Sequence, residues 1–468
     1  MSGRVSMKER RNRIVLMAGY YVENFGCRAT QADGAAIERQ FRERGLVRAD
    51  EARQAEVVVL NTCTVTQAAD QDARSAIRRI RRQNPDCRIV VTGCYAQRSP
   101  EEIAALPGVS KVIGNSHKHQ LAEIALQQSG LSSRFSNEFV SIESLANGQR
   151  PTTNGQRPVF VSDIFAHTEL LAAPVFDAAN ERTRPNLKVQ DGCDNRCSFC
   201  VIPFVRGQSR SLPLERVIAE ANALVAAGYR ELVISGINLG RWGRDLGEHH
   251  RFEDLIEAIL DQTELQKLRI SSVEPMDWSD RLIGLVANSQ RIAKHAHVPM
   301  QSGSDRVLRR MHRKYRPWHY REKIEKIRAA VPMAAIGADV MVGFPGEADT
   351  EFEETRRMIE DLPFTYLHVF TFSARPGTPA AKMKNQVPVQ VARERNRILR
   401  DLAAEKKTAF MRSFIGREVE AITLNVFDGT HTECLTDNFL KLKLAGKHEA
   451  NQWLRPRVDQ MQDTALVA

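Results

Sequence analysis

Short apolar runs alternate with amphipathic stretches in the first quarter of the chain. Val57–Leu60 and Ile89–Val91 are continuous and rich in β-branched side chains, as in strands buried on both faces. Between them Ala73, Ile77 and Ile80 recur at helical spacing, with Arg74, Arg78, Arg81 and Arg82 on another face. This β-α-β pattern predicts an open parallel sheet covered by helices over residues 14–126. From 127 to 183 the periodicity fades and Ser, Asn, Gly and Pro accumulate, as in Asn147-Gly148-Gln149-Arg150-Pro151. A linker or irregular insertion is expected there.

The alternation returns at Pro185. Strands are expected at Leu187–Gln190, Glu231–Ser235, Lys267–Ser272, His295–Pro299, Ile336–Met341 and Tyr366–Thr371, with helices such as Leu214–Ala226 and Arg281–Asn288 between them. Such βα units over 184–411 predict an incomplete parallel barrel, since a closed eightfold barrel usually takes more chain. Beyond Phe414 the period becomes two. Ile422, Leu424 and Val426 alternate with Thr423 and Asn425, and Leu440, Leu442 and Leu444 alternate with Lys441 and Lys443. Half-buried antiparallel strands forming a small β-barrel are expected over 412–468. The predicted class is thus α/β: an open parallel α/β domain, a partial (β/α)6 barrel and a small antiparallel β-barrel.

Composition narrows this picture. No run of about 18 apolar residues exists, so no membrane span or membrane partner is expected. Met1 to Arg13 is basic but is followed by no apolar h-region, which makes a cytoplasmic location the expectation. The formal charge of +10 suits a polyanionic partner. Basic runs at Arg74–Arg82 and at Arg306, Arg309, Arg310, Arg313, Lys314 and Arg316 could hold phosphates or simply form solvated helix faces. The last region is not basic: Arg412 to Ala468 holds seven Lys and Arg against eight Asp and Glu. RNA binding there would need a local patch such as Lys441, Lys443 and Lys447, or stacking on Phe439.

Candidate chemistry lies in the eight cysteines. Gly192-Cys193-Asp194-Asn195-Arg196-Cys197-Ser198-Phe199-Cys200 spaces three of them Cys-x3-Cys-x2-Cys directly after an expected strand. Three thiolates on one tight loop suit three corners of an iron–sulfur cubane. A structural zinc site would want a fourth ligand, and none is nearby in sequence. Cys27, Cys63 and Cys94 each follow an expected strand of the first domain. In an open α/β sheet ligands bind beyond the carboxyl ends of strands, so three loops could bring these thiols together. Buried free cysteine is the competing reading, and Cys87 and Cys434 keep it.

Cys-x3-Cys-x-aromatic-Cys on the first strand of a βα barrel resembles the radical S-adenosylmethionine (SAM) enzymes. The resemblance implies a 4Fe–4S cluster on Cys193, Cys197 and Cys200, whose open iron holds SAM. With the N-terminal triple added, the chain resembles the methylthiotransferases, which carry a three-cysteine domain, a radical SAM domain and a C-terminal TRAM domain. That likeness implies a second 4Fe–4S cluster on Cys27, Cys63 and Cys94, and two SAM molecules per turnover. It also implies tRNA as substrate through its anticodon arm, an electron donor such as flavodoxin or ferredoxin, and a sulfur donor. Lys188-Val189-Gln190-Asp191-Gly192-Cys193-Asp194, Ser271-Ser272-Val273-Glu274-Pro275 and His368-Val369-Phe370-Thr371-Phe372-Ser373 resemble the branch acting on N6-threonylcarbamoyladenosine at tRNA position 37. Isopentenyladenosine and a ribosomal-protein aspartate are the targets of the other branches. A zinc-containing RNA-binding module is the alternative of another class. Two departures stand out: Thr30 replaces a frequent Asn, and Phe204 replaces a usual Tyr.

Barrel ligands collect at the carboxyl ends of strands. Ser235, Gly236, Ser271, Ser272, Glu274, Gln301, Ser302 and Asp339 are therefore expected to contact the ribose, amine or carboxylate of SAM, with loop capping as the alternative. No Ser-His-Asp or acid–base pair stands out, so no protein acid or base is assigned. His295 and His297 share one face of an expected strand, and packing is expected of them rather than metal binding.

Overall fold

A computed structural model describes residues 19–127, 158–167, 170, 183–247 and 250–468. The basic stretch Met1–Arg13 and most of the expected linker fall outside the described residues. The first sheet has six strands in the order β2-β1-β3-β4-β5-β6, all parallel. They are β1 (Gly19–Asn24), β2 (Val47–Arg48), β3 (Val57–Thr62), β4 (Arg88–Gly93), β5 (Val109–Gly114) and β6 (Val159–Phe160). Every residue of β3 is buried, which is why its apolar run is continuous rather than alternating. Packed apolar residues cover both faces of the sheet. The helix Gln67–Gln83 buries Ala73, Ile77 and Ile80, and Thr66 caps it by accepting from the Ala69 amide. Val159–Phe160, inside the expected linker, adds the edge strand of this sheet.

The middle of the chain forms the expected six parallel strands. They are β7 (Asn186–Lys188), then, after the two-residue strands β8 (Gln190–Asp191) and β9 (Arg210–Ser211), β10 (Glu231–Ser235), β11 (Lys267–Ile270), β12 (His295–His297), β13 (Ala335–Val342) and β14 (Tyr366–Thr371). Two three-stranded sheets, β11-β10-β7 and β12-β13-β14, are joined by bridges from Leu268 to Ile292 and from Ser272 to His297. One large apolar core fills the space between these strands and the helices around them. β7 and β14 are the two free edges.

The first domain spans that open side. The helix Arg28–Glu43 packs on β7, where Asn186 Nδ2 donates to the Arg28 carbonyl at 3.2 Å. On the other edge Arg375 pairs with Asp70, and the Gln67 amide donates to Ser373 Oγ at 3.2 Å.

The last six strands are β15 (Ala421–Phe427), β16 (His431–Thr436), β17 (Lys441–Ala445), β18 (Trp453–Leu454), β19 (Gln460–Gln462) and β20 (Ala465–Val467). Their sheet is antiparallel except where β17 runs parallel to β20. Alternation opens β17, with Lys441 exposed and Leu442 buried, and fades at Lys443 and Leu444, which are both half-buried. It fails on β15: Ala421, Ile422 and Thr423 are all buried, while Asn425 and Val426 are exposed. The pairing register slips between Thr423 and Phe427, so the two halves of that strand meet different surroundings. No helix among the described residues is long and apolar enough to cross a membrane.

Candidate iron–sulfur and nucleoside site

Cys63 and Cys94 immediately follow β3 and β4, and Cys27 lies just beyond β1. All three therefore stand at the carboxyl edge of the parallel sheet. Gly26 permits the closest approach. It has φ +98°, and a Cβ there would lie 2.7 Å from Cys63 Cβ and 3.0 Å from Cys63 Sγ. Burial, reinforced by the neighbouring Cys94 and Cys27, raises the Cys63 thiol to about 12. Cys87 precedes β4 and is buried in the core at the far edge, and Cys434 is buried in the C-terminal sheet.

The central loop begins at Gly192, where φ is +71° and a Cβ would lie 1.8 Å from the Gln208 carbonyl oxygen. Burial, reinforced by the neighbouring Cys197, raises Cys193 to about 11 and Cys200 to about 12. Buried thiols so reluctant to ionise need positive charge to become thiolate ligands. Donors aim at their sulfurs. Arg313 Nη1 lies 3.2 Å from Cys197 Sγ, and Asn238 Nδ2 lies 3.6 Å from Cys193 Sγ. At the other triple Asn115 Nδ2 is 3.6 Å from Cys94 Sγ, and Thr30 Oγ1 is 3.6 Å from Cys27 Sγ. No group of three or more His, Cys, Asp or Glu among the described residues is arranged to hold a metal ion. The donor chemistry fits a cluster, whose thiolates sit on separate irons, better than a single closed ion site.

A buried ion network lies between the two triples. Asp33 of the first domain pairs with Lys118 at 2.9 Å and Arg206 at 3.0 Å, and with Lys188. Asp191 pairs with Lys188 at 2.8 Å and Arg206 at 2.9 Å. Burial alone would raise the Asp33 carboxyl; Lys118, Lys188 and Arg206 outweigh it and bring it down to about 2. The charge of Arg206 also acts on Cys94 and Cys27. Three cations face two carboxylates, so the network is net positive beside the thiols.

The residues expected to meet SAM divide. Ser235 ends β10, and its buried hydroxyl has no partner among the described residues. At Gly236 a Cβ would meet the Gln190 side chain at 2.8 Å. Ser271 and Ser272 follow β11 and are partly exposed. Glu274 pairs with Arg313 and so lies near Cys197. Gln301 has φ 62° and a buried Oε1 without a partner among the described residues. Ser302 Oγ is 3.1 Å from Thr355 Oγ1 and accepts from the Ser304 amide, so it braces a turn. Asp339 sits inside β13 rather than at its end, 3.4 Å from His297 Nε2.

Within the second basic run, carboxylates already hold most members. Arg309 and Arg316 pair with Asp305, Arg310 with Glu351, and buried Arg313 with Glu274. Arg306 and Lys314 remain exposed. Arg313, expected within a phosphate-holding run, meets Cys197 instead, and Asn238, Asn115 and Arg206 are residues of the candidate site that sequence reasoning missed. Only for Arg206 was there a signal, since it lies six residues beyond the third cysteine of the loop.

Residues 19–114 match the Uncharacterized protein family UPF0004, and residues 187–359 match the Radical SAM superfamily. The chain is 37% identical over 438 residues to threonylcarbamoyladenosine tRNA methylthiotransferase MtaB of Bacillus subtilis, covering 92% of each. It is 34% identical over 435 residues to the protein of that name from Aquifex aeolicus, covering 92% of this chain and 98% of the other. The solved structure of the radical SAM methyltransferase TsrM from Kitasatospora setae shares the fold, with TM-score 0.56 at 14% identity over 78% of this chain and 77% of that one. The motif, the sheet-edge cysteines and these full-length likenesses agree: the chain belongs to the radical SAM tRNA methylthiotransferase family.

Proposed function

We propose that this enzyme adds a methylthio group to C2 of N6-threonylcarbamoyladenosine at position 37 of tRNA. The observation that carries the reading is the pair of cysteine triples on facing domains, bridged by the buried Asp33–Arg206–Asp191 network. Cys193, Cys197 and Cys200 hold one 4Fe–4S cluster, and Cys27, Cys63 and Cys94 hold the other. When bound, these groups supply the electron that cleaves SAM and the sulfur that is transferred, with two SAM molecules used per turnover.

The chain's own residues set the surroundings. Arg313 donates to Cys197 and fixes Glu274, and Asn238 donates to Cys193. Ser235, Gly236, Ser271, Ser272, Glu274, Gln301, Ser302 and Asp339 line the SAM side. The oxygens of Ser235 and Gln301, without partners among the described residues, are open to its polar atoms, whereas Ser302 acts by holding the turn. Exposed Arg78, Arg82, Arg306 and Lys314 are available to phosphates of the anticodon arm. The electron donor is a flavodoxin or ferredoxin, and a separate donor renews the sulfur.

The choice of threonylcarbamoyladenosine rests on the local sequences around Cys193, Glu274 and His368, and on the names of the two relatives. Nucleoside mass spectrometry of tRNA tests it, in a host lacking its own methylthiotransferase for this nucleoside and expressing this chain. The methylthio derivative is the expected product. Unmodified threonylcarbamoyladenosine beside soluble, iron-loaded protein would overturn the substrate assignment.

A further inference from the structure

A half-buried guanidinium without a counter-ion among the described residues stands beside the N-terminal cysteine triple. Arg28 directly follows Cys27, and its carbonyl is tied to β7 by Asn186. Among the described residues its side chain makes no hydrogen bond or ion pair. The charged and titratable groups nearest in effect are Arg184, Arg269, Tyr366 and Glu231, and its charge also reaches His295. Glu231 is already taken: Arg269 Nε holds it at 2.6 Å and Arg184 at 3.6 Å. Three guanidiniums thus share one carboxylate, and Arg28 is the one left over. A charge that is only partly solvated and has no partner among the described residues gains from a ligand anion.

The same space is walled by rings. His295 and Tyr366 stack at 5.9 Å and 7°, with Nε2 2.7 Å from the phenol oxygen. Phe439 reaches in from the hairpin between β16 and β17, its ring 4.7 Å from His295 and 5.6 Å from Tyr366. Arg269 clamps this hairpin by donating to the Asp437 carbonyl at 2.9 Å and the Thr436 carbonyl at 3.3 Å. Phe439 has φ 69°, a left-handed conformation that bulky residues avoid unless their surroundings impose it. Ring faces from two domains therefore gather at one place, and the charge of Arg28, from the third, acts on His295 and Tyr366 there.

We infer that Arg28 is the receptor for a carboxylate on the N6 substituent of the target adenosine, with Tyr366 and Phe439 offering ring faces to the base. The inference rests on the proposed substrate, because a threonylcarbamoyl group ends in a carboxylate and an isopentenyl group carries no charge. A guanidinium pairs with that carboxylate through two parallel hydrogen bonds and selects against the uncharged substituent.

The test compares two anticodon stem-loop RNAs, one carrying threonylcarbamoyladenosine and one with its carboxylate converted to a methyl amide. Binding is read by fluorescence anisotropy on the cluster-loaded enzyme, and product by mass spectrometry. Wild type should bind the acid at least about tenfold tighter than the amide. Arg28→Gln should lose that factor on the acid and leave the amide unchanged, while Arg28→Lys restores part of the preference. Equal binding of both RNAs by wild type, with product formed from the acid, overturns the Arg28 assignment alone. Equal weakening of both RNAs by Arg28→Gln also overturns it, because the residue would then serve a backbone phosphate or the fold. Absence of product from the acid RNA, with intact iron and SAM cleavage, instead sinks the substrate reading.

Discussion

Asp33 accepts a hydrogen bond from Arg206 Nη2 at 3.0 Å across 173 positions of sequence, with both side chains almost fully buried. Asp33 belongs to the helix that begins beside Cys27, and Arg206 ends the short helix that follows Cys200. Through this pair the two cysteine loops share one rigid joint. Arg206 also grips Asp191, two residues before Cys193, so the central loop is held at both ends. A buried, multiply bonded ion network fixes the separation of the two cysteine loops more firmly than apolar contact, which tolerates sliding.

Removing the Asp33 charge should therefore loosen the joint. Asp33→Asn leaves Lys118, Lys188 and Arg206 with Asp191 as their remaining carboxylate in the network. Breaking a buried pair on one side costs about 3–5 kcal/mol, and a loss at the lower end is expected because Asn keeps an acceptor. Urea unfolding of the cluster-free protein measures it. A change under about 1 kcal/mol would mean that water reaches the network.

The same carboxylate predicts an acid limb. Asp33 titrates at about 2 in the folded chain, against about 3.9 in an unfolded one. A depressed folded value stabilises fully above the unfolded pKa, and that contribution disappears as pH falls through the folded one. The stability gap between wild type and Asp33→Asn should stay constant from pH 7 to about 5. It should then narrow by about 2 kcal/mol towards pH 2. A gap that does not change with pH would show that the variant's defect is one of packing rather than charge.

The two cysteine loops should separate in function. Cys197→Ala removes a thiol that Arg313 contacts on the SAM side and should abolish 5′-deoxyadenosine formation. Cys63→Ala removes a buried thiol of the other triple, packed against Gly26, and should leave SAM cleavage while stopping methylthiolation. Each variant should lose about half of the bound iron. Equal loss of SAM cleavage in both would refute two separate cluster roles.

Much of this arrangement is legible in the sequence. Glu231–Ser235 and Tyr366–Thr371 are strands over the expected residues: the first is buried throughout and carries an unbroken Leu-Val-Ile run, while the second, an edge strand, is half-buried and rich in aromatic and β-branched residues. The two-residue strands Val47–Arg48 and Val159–Phe160 carry no such run and escape a pattern that needs four residues or more. Arg313 read as one member of a phosphate-binding run, yet it is buried against Cys197 and Glu274. Charge runs give sign but not partner, and a partner 39 positions away, as Glu274 is, leaves no local trace. Lys188 and Asp191 stand in the sequence as part of a family motif, while their shared role with Asp33 arises only where two domains meet.

Phe439 offers a test that separates strain kept for function from a structural plug. Its left-handed backbone costs about 1–3 kcal/mol relative to a glycine at the same place. Phe439→Gly relieves that strain and removes the ring contacts with His295, Tyr366 and Arg269. The two effects oppose each other in stability, so the unfolding free energy should move by no more than about 1 kcal/mol. Stacking a nucleobase on an aromatic ring contributes about 1–3 kcal/mol, so affinity for the stem-loop RNA should fall about tenfold. Phe439→Tyr keeps the ring and should keep the affinity. If the glycine variant instead unfolds readily and the little that remains folded binds RNA normally, the ring serves the hairpin's docking and not the nucleoside.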